Sequence, residues 1–317
     1  MHLKWLLLTA WPGLLVLAAM VPPLLPATPL SDPLHAWAGP VDPDRLTAWT
    51  NHQLEAQQQA IQQLLSVKGA PTLANTLVPY DRAIAALDAA SSEAELLYAV
   101  SPSKAVRDAA ESLVQTVSNA SVALSLNQQV YRALAAVDAS SADPATRYYL
   151  QRTLLEYRLA GVDKDAPTRE RVQKLQEQIT KLGLVFGRNV QEHVNTVTVS
   201  VLEELAGLPA DFLARHKPAA DGSIQLTTDY PDYMPVMTYA QNGSLRRRMF
   251  LAYNTRAYPA NKQVLLDLLN ARQELASTLG FQNWADLATA DQMMGSAANV
   301  RQFLKELDVA SRPDAAK

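Results

Sequence analysis

The chain has 317 residues, 48% apolar and 19% charged, with 28 Lys and Arg against 31 Asp and Glu for a net charge of −3. That length suits one large domain or two ordinary ones, and the apolar share excludes a disordered chain. Balanced charge gives no support to nucleic-acid binding. With no cysteine there is no disulfide framework, thiol nucleophile, Cys-ligated zinc, iron–sulfur cluster or cysteine-borne lipid anchor. The 11 glycines are roughly half the usual share of about 7%, and with abundant Ala, Leu, Gln and Glu they point to a mainly α fold.

The first thirty residues differ in kind. Met1 to Lys4 is a short basic start, and Trp5 to Val21 is uncharged and mostly apolar, interrupted by Pro12 and Gly13. Small and Pro residues follow, with candidate cleavage points after Ala18, Ala19 or Ala27. This is the layout of a secretory signal peptide over 1–30. It predicts a secreted or periplasmic protein whose mature chain starts between 19 and 40. The run of about 17 residues is short for crossing the hydrocarbon of a bilayer. The alternative is a retained membrane anchor, the one route by which this chain would meet a membrane. Residues 31–42, rich in Pro and Asp, read as a linker.

From there helical punctuation repeats. Asp42-Pro43 predicts a helix start, with a stop near Gly69. Further helices are expected over 72–100, 103–137 and from Asp143-Pro144 to Gly161. A fifth, over 166–192, carries Val172, Leu175, Ile179, Leu182 and Phe186 at alternating three- and four-residue steps, a seam for a neighbouring helix. The period then changes. Asn195 to Val201 alternates β-branched residues, and Ile224 to Thr228 follows the Asp221-Gly222 turn. The two are expected to pair as one small antiparallel β ribbon near 195–228. Helical signals return over 231–241, 244–256, 260–279 and from 299 onward.

Chemistry-bearing groups are sparse. The histidines are His2, His35, His52, His193 and His216, no two within five residues, so none makes the paired helical zinc motif. His193 and His216 read as structural or surface residues. Ser101-Pro-Ser-Lys104 has the serine–lysine spacing of penicillin-recognising enzymes without their partner motifs, which favours Ser101 or Ser103 as a helix cap. Asn119-Ala-Ser121 and Asn242-Gly-Ser244 are sequons in form. Arg246-Arg247-Arg248 spreads around a helix, so one arginine can turn into an ion pair while the others stay solvated. Glu203-Glu204 has no identifiable acid/base partner. No catalytic, cofactor-binding or metal-ligating residue is assigned.

Several stretches in succession nonetheless resemble a known family. They are Leu208 to Phe212, Leu226-Thr-Thr-Asp-Tyr-Pro-Asp-Tyr-Met-Pro-Val-Met237, Arg248 to Arg256, Asn261 to Arg272, and Leu279-Gly-Phe-Gln-Asn-Trp-Ala-Asp-Leu287. Upstream, Thr72 to Leu87 and Leu182 to Val190, with Phe186 and Asn189, fit the same pattern. Order and spacing are similar to the N-terminal half of the M3 zinc metallopeptidases, the thimet oligopeptidase, oligopeptidase A and dipeptidyl carboxypeptidase group, over about 40 to 310.

The resemblance implies the mostly helical N-terminal lobe of a channel-type peptidase acting on short peptides. It also implies zinc for a full-length member, held by a His-Glu-x-x-His helix and a further Glu in the C-terminal half. None of these matches a position here. The expectation is therefore a truncated chain, 43–317, that forms a wall of the substrate channel, binds no zinc alone and is inactive without the missing catalytic half. Arg312-Pro313, read as a fresh helix start, fits truncation. The rival reading is a non-catalytic helical peptide-binding or scaffold protein of the cell envelope. Endopeptidase and dipeptidyl carboxypeptidase remain open alternatives for the parent enzyme.

Overall fold

The computed structural model describes residues 41–316; the segment read as a signal or anchor and all but the last two residues of the linker lie outside the described residues. The chain divides into two compact units. One comprises the residues up to Thr180 and those from Arg272, the other Lys181–Ala271.

The first unit begins with α1 (Pro43–Leu65), capped by the Asp42 carboxylate, which accepts from the Arg45 N–H at 2.8 Å. The helix ends four residues before Gly69, which turns the chain at a φ of 121°. Thr72 and Asn75 cap each other reciprocally and open a π-helical turn, Leu73–Leu77, that runs into α2 (Val78–Val100). Pro79 in the first turn of α2 lacks an N–H to give the preceding turn, a local reason for the wider winding.

Alanine decides how α2 packs. Ala83, Ala90 and Ala94 are fully buried, so α2 presents a flat stripe against α1 and α3 (Lys104–Ser125). Larger side chains fill the space around it. Leu46, Leu97, Val106 and Leu113 close one end, while Leu64, Leu77, Leu87, Leu134 and Tyr157 close the other.

The expected single helix over 103–137 is two. α3 ends at Ser125, and α4 (Gln128–Ala135) starts after Asn127, whose side chain accepts from the N–H groups of Gln129 and Val130. α5 (Pro144–Ala160) is capped by Asp143 and stopped by Gly161 at a φ of 91°. α6 (Ala166–Glu192) buries Val172 and Leu175; Ile179, Leu182 and Phe186 are only half-buried. Val172 and Leu175 pack on Leu275 and Leu279 of α10 (Ala260–Leu279). α11 (Trp284–Thr289) and α12 (Ala297–Ala315) follow. Pro313 is not a new helix start: it sits inside the last turn of α12, where its missing N–H removes one intrahelical bond close to the helix end.

The second unit is built on the ribbon. β1 (Thr196–Val199) pairs antiparallel with β2 (Ile224–Thr227), with Val197 opposite Leu226 and Val199 opposite Ile224. Those four side chains face inward, and Thr196, Thr198 and Gln225 face water, as strand alternation requires. Phe212 of α7 (Ala210–Arg215), Val236 of α8 (Tyr230–Tyr239), and Leu245 and Met249 of α9 (Gly243–Asn254) complete the core, with Leu205 from a 3₁₀ turn. Among the described residues the fold is mainly α with one two-stranded ribbon, as expected. The short elements α7 and α11 and the 3₁₀ turn had no expectation attached.

Candidate functional site

The candidate reactive groups are spent on structure. Ser103 caps α3 by accepting from the Val106 N–H, and Ser101 ends α2. The Lys104 ammonium donates to Asp108 at 2.8 Å, so it is not a base poised beside a serine. Asn242 caps α9, and Asn119 lies within α3, where it accepts from Gln115.

The arginine triplet divides as its helical spread implies. Arg248 donates to Glu204 and to the Thr198 carbonyl, fastening α9 to the 3₁₀ turn and β1. Arg246 donates to the Ala240 carbonyl, and Arg247 is exposed. Glu204 is thereby an ion-pair partner, and Glu203 stays exposed.

The described histidines are dispersed. His52 is exposed on α1. His193 and His216 each place Nδ1 against a backbone carbonyl four residues back, those of Asn189 and Phe212. His216 stacks on Phe212 and places Nε2 2.9 Å from Asp232, whose other oxygen accepts from the Thr227 amide and hydroxyl. This locks the start of α8 to the end of β2. Among the described residues no three His, Cys, Asp or Glu converge in a way that could hold a metal ion.

Burial pushes the Tyr80, Tyr149 and Tyr157 phenols well above their ordinary range, and burial also raises Glu93. Asp143 is held low chiefly by the Thr146 hydroxyl, and Asp221 chiefly by the Ser223 N–H. Apart from Glu93, inside α2, these are core phenols and loop or cap carboxylates. A shallow hollow of about 280 Å³ beside the end of α1 is lined by Leu64, Leu65, Val67, Thr76, Gln129 and Ala133 among others, and none of its lining groups is ionisable.

The stretches behind the resemblance serve a different purpose: they supply joints. Asn189 of α6 donates to Asn261 of α10 at 2.8 Å, and Asn261 donates to the Phe186 carbonyl at 3.0 Å. Tyr233 stacks on Tyr253 with centroids 3.8 Å apart, and the Arg256 guanidinium lies 3.8 Å from the centroid of the Tyr253 ring. Arg272 lies over Trp284, and Asn283 caps α11 by accepting from the Asp286 N–H. Gly207, at a φ of 91°, brings the backbone against the Tyr239 carbonyl.

Residues 236–317, from the second half of α8 onward, match the model of peptidase family M3. The chain is similar to M3 peptidases of several organisms. It is 27% identical to saccharolysin of Saccharomyces cerevisiae over 249 residues, 75% of this chain and 35% of that protein. It is 32% identical to oligopeptidase A of Salmonella typhimurium over 187 residues, 55% of this chain and 28% of that protein. It is 29% identical to the Escherichia coli oligopeptidase A over 239 residues, again 35% of that protein. The chain thus spans about a third of the length of the curated relatives it matches. The M3 match and the mainly α fold agree with the expectations from the sequence.

Proposed function

We propose that this chain supplies the N-terminal helical portion of an M3-type zinc metallopeptidase that hydrolyses short peptides, forming one wall of the substrate channel. In this reading the zinc ligands and the general base belong to the part of the relatives that the chain does not cover, and no step of hydrolysis is assigned to the residues described above. The supporting observation is that the M3-like stretches carry joints: Asn189 with Asn261, Tyr233 with Tyr253 and Arg256, and Arg272 over Trp284. The run Trp5–Val21 supports export through a cleaved signal, which amino-terminal sequencing of the secreted protein tests.

The decisive experiment combines the chain with the portion of E. coli oligopeptidase A that the match leaves uncovered, co-expressed as a second polypeptide. Cleavage of quenched short peptides, lost on chelation and far slower on folded proteins, is the expected result. A well-folded chain that binds peptides but yields no cleavage in the combination overturns the proposal in favour of a non-catalytic binding protein.

A further inference from the structure

Among the described residues, the last helix has an apolar face left largely exposed. After Ala297 every described residue of α12 is exposed except Val300. Phe303, Leu304 and Leu307 are 53%, 54% and 54% exposed. At about 100° per residue, these three and Val300 fall within roughly 100° of arc, the stripe of a helix built to pack on a partner. Arg301, Lys305, Asp308 and Arg312 lie to one side, where Arg312 donates to Asp308 at 2.9 Å. Gln302 donates to Glu306 farther round the same polar surface. The helix is therefore sorted into a solvated face and a face that water disfavours.

What covers that face follows from two findings. The M3 match runs unbroken through 236–317, so α12 is an element of the family pattern rather than an appended tail. The relatives devote about two thirds of their length to sequence this chain does not match. We infer that the stripe Val300, Phe303, Leu304 and Leu307 is the seat of an apolar groove on the remaining portion of an M3 peptidase, so that α12 couples the helical portion to the catalytic portion. This rests on the function proposed above and adds the residues through which the two portions meet.

The test uses the full 317-residue chain co-expressed with the uncovered portion of E. coli oligopeptidase A. A benzophenone amino acid placed at 304 or 307 is expected to crosslink to that portion on irradiation, and the same probe at 305, on the polar face, is not. Leu304→Asp is expected to lower co-purification at least tenfold, while Lys305→Asp leaves it within twofold. In the chain alone, Leu304→Asp should leave helicity and the melting temperature unchanged, because the side chain is already half in water. Crosslinks to a second copy of the chain, with a doubled mass that Leu304→Asp halves, overturn the inference in favour of self-association. Undiminished co-purification and peptide cleavage by Leu304→Asp overturn it while leaving the peptidase reading standing. Failure of the unaltered chain to associate at all overturns both.

Discussion

Asn261 is 7% exposed and makes three hydrogen bonds: its amide nitrogen donates to the Phe186 carbonyl, its oxygen accepts from Asn189, and its backbone N–H reaches the Ala257 carbonyl. Deleting the side chain removes the partner of the part-buried Asn189 amide and a second acceptor contact of the Phe186 carbonyl, and orphaned polar groups cost about 1–3 kcal/mol. Asn261→Ala should therefore lower the unfolding free energy, read from urea titration, by about that amount, while Lys262→Ala, at an exposed neighbour, should fall within about 0.5 kcal/mol of the unaltered chain. Equal unfolding free energies for the two variants would contradict the joint. Gly207 tests the same idea through the backbone. A Cβ there would lie 2.3 Å from the Tyr239 carbonyl oxygen, on a residue already at a left-handed φ, so Gly207→Ala should cost more than the usual ~1 kcal/mol of a strained substitution. Thermal melts of purified Gly207→Ala and Gly222→Ala separate the causes: both have positive φ, but Gly222 has open space around it.

At the scale of elements, the punctuation residues were the legible part. Asp42, Asp143 and Gly161 mark their helix ends as expected, because each acts through its own backbone neighbours and no tertiary contact is needed to specify it. The break after α3 was hidden for the opposite reason. Val122, Leu126, Val130 and Leu134 keep a four-residue step straight across Asn127, so apolar periodicity reads through a cap that only backbone geometry reveals. Likewise the seam of α6 was legible as a pattern, but how deeply Val172, Leu175 and Ile179 are buried depends on α10, about a hundred residues away. The joints were legible only as family-like motifs, since no local rule pairs Asn189 with Asn261. The caps also set an acid response. The folded Asp143 carboxyl is held below its ordinary value by the Thr146 hydroxyl and backbone N–H, so the native chain binds fewer protons than the unfolded one. Its contribution is present above the unfolded value, about 4, and is lost as pH falls through the lower folded value. The melting temperature should thus fall as pH drops below about 4, and Asp143→Asn, which keeps a capping oxygen without the titration, should show a shallower fall. An equal slope in both proteins would remove Asp143 from the acid response.

For the molecule as a whole, the placement of the histidines decides what it can hold by itself. A tight zinc site needs three or four donors converging within about 2.0–2.3 Å of one point. His216 has both ring nitrogens against oxygen acceptors and one ring face stacked on Phe212, and freeing it would unpick the start of α8 from β2. His193 has Nδ1 on the Asn189 carbonyl at the end of α6, and His52 projects from α1. No described carboxylate cluster joins any of them into a ligand set. After exhaustive dialysis the purified 317-residue chain should therefore hold zinc far below one ion per chain by plasma mass spectrometry, and quenched peptides should stay uncut. Addition of the portion that the relatives possess and this chain does not match should bring zinc and cleavage together, because in the proposed arrangement one polypeptide supplies the ligands and the other the wall that admits only extended peptides. Stoichiometric zinc on the chain alone, with chelator-sensitive cleavage, would require donors outside the described residues and would overturn the division of labour between the two portions.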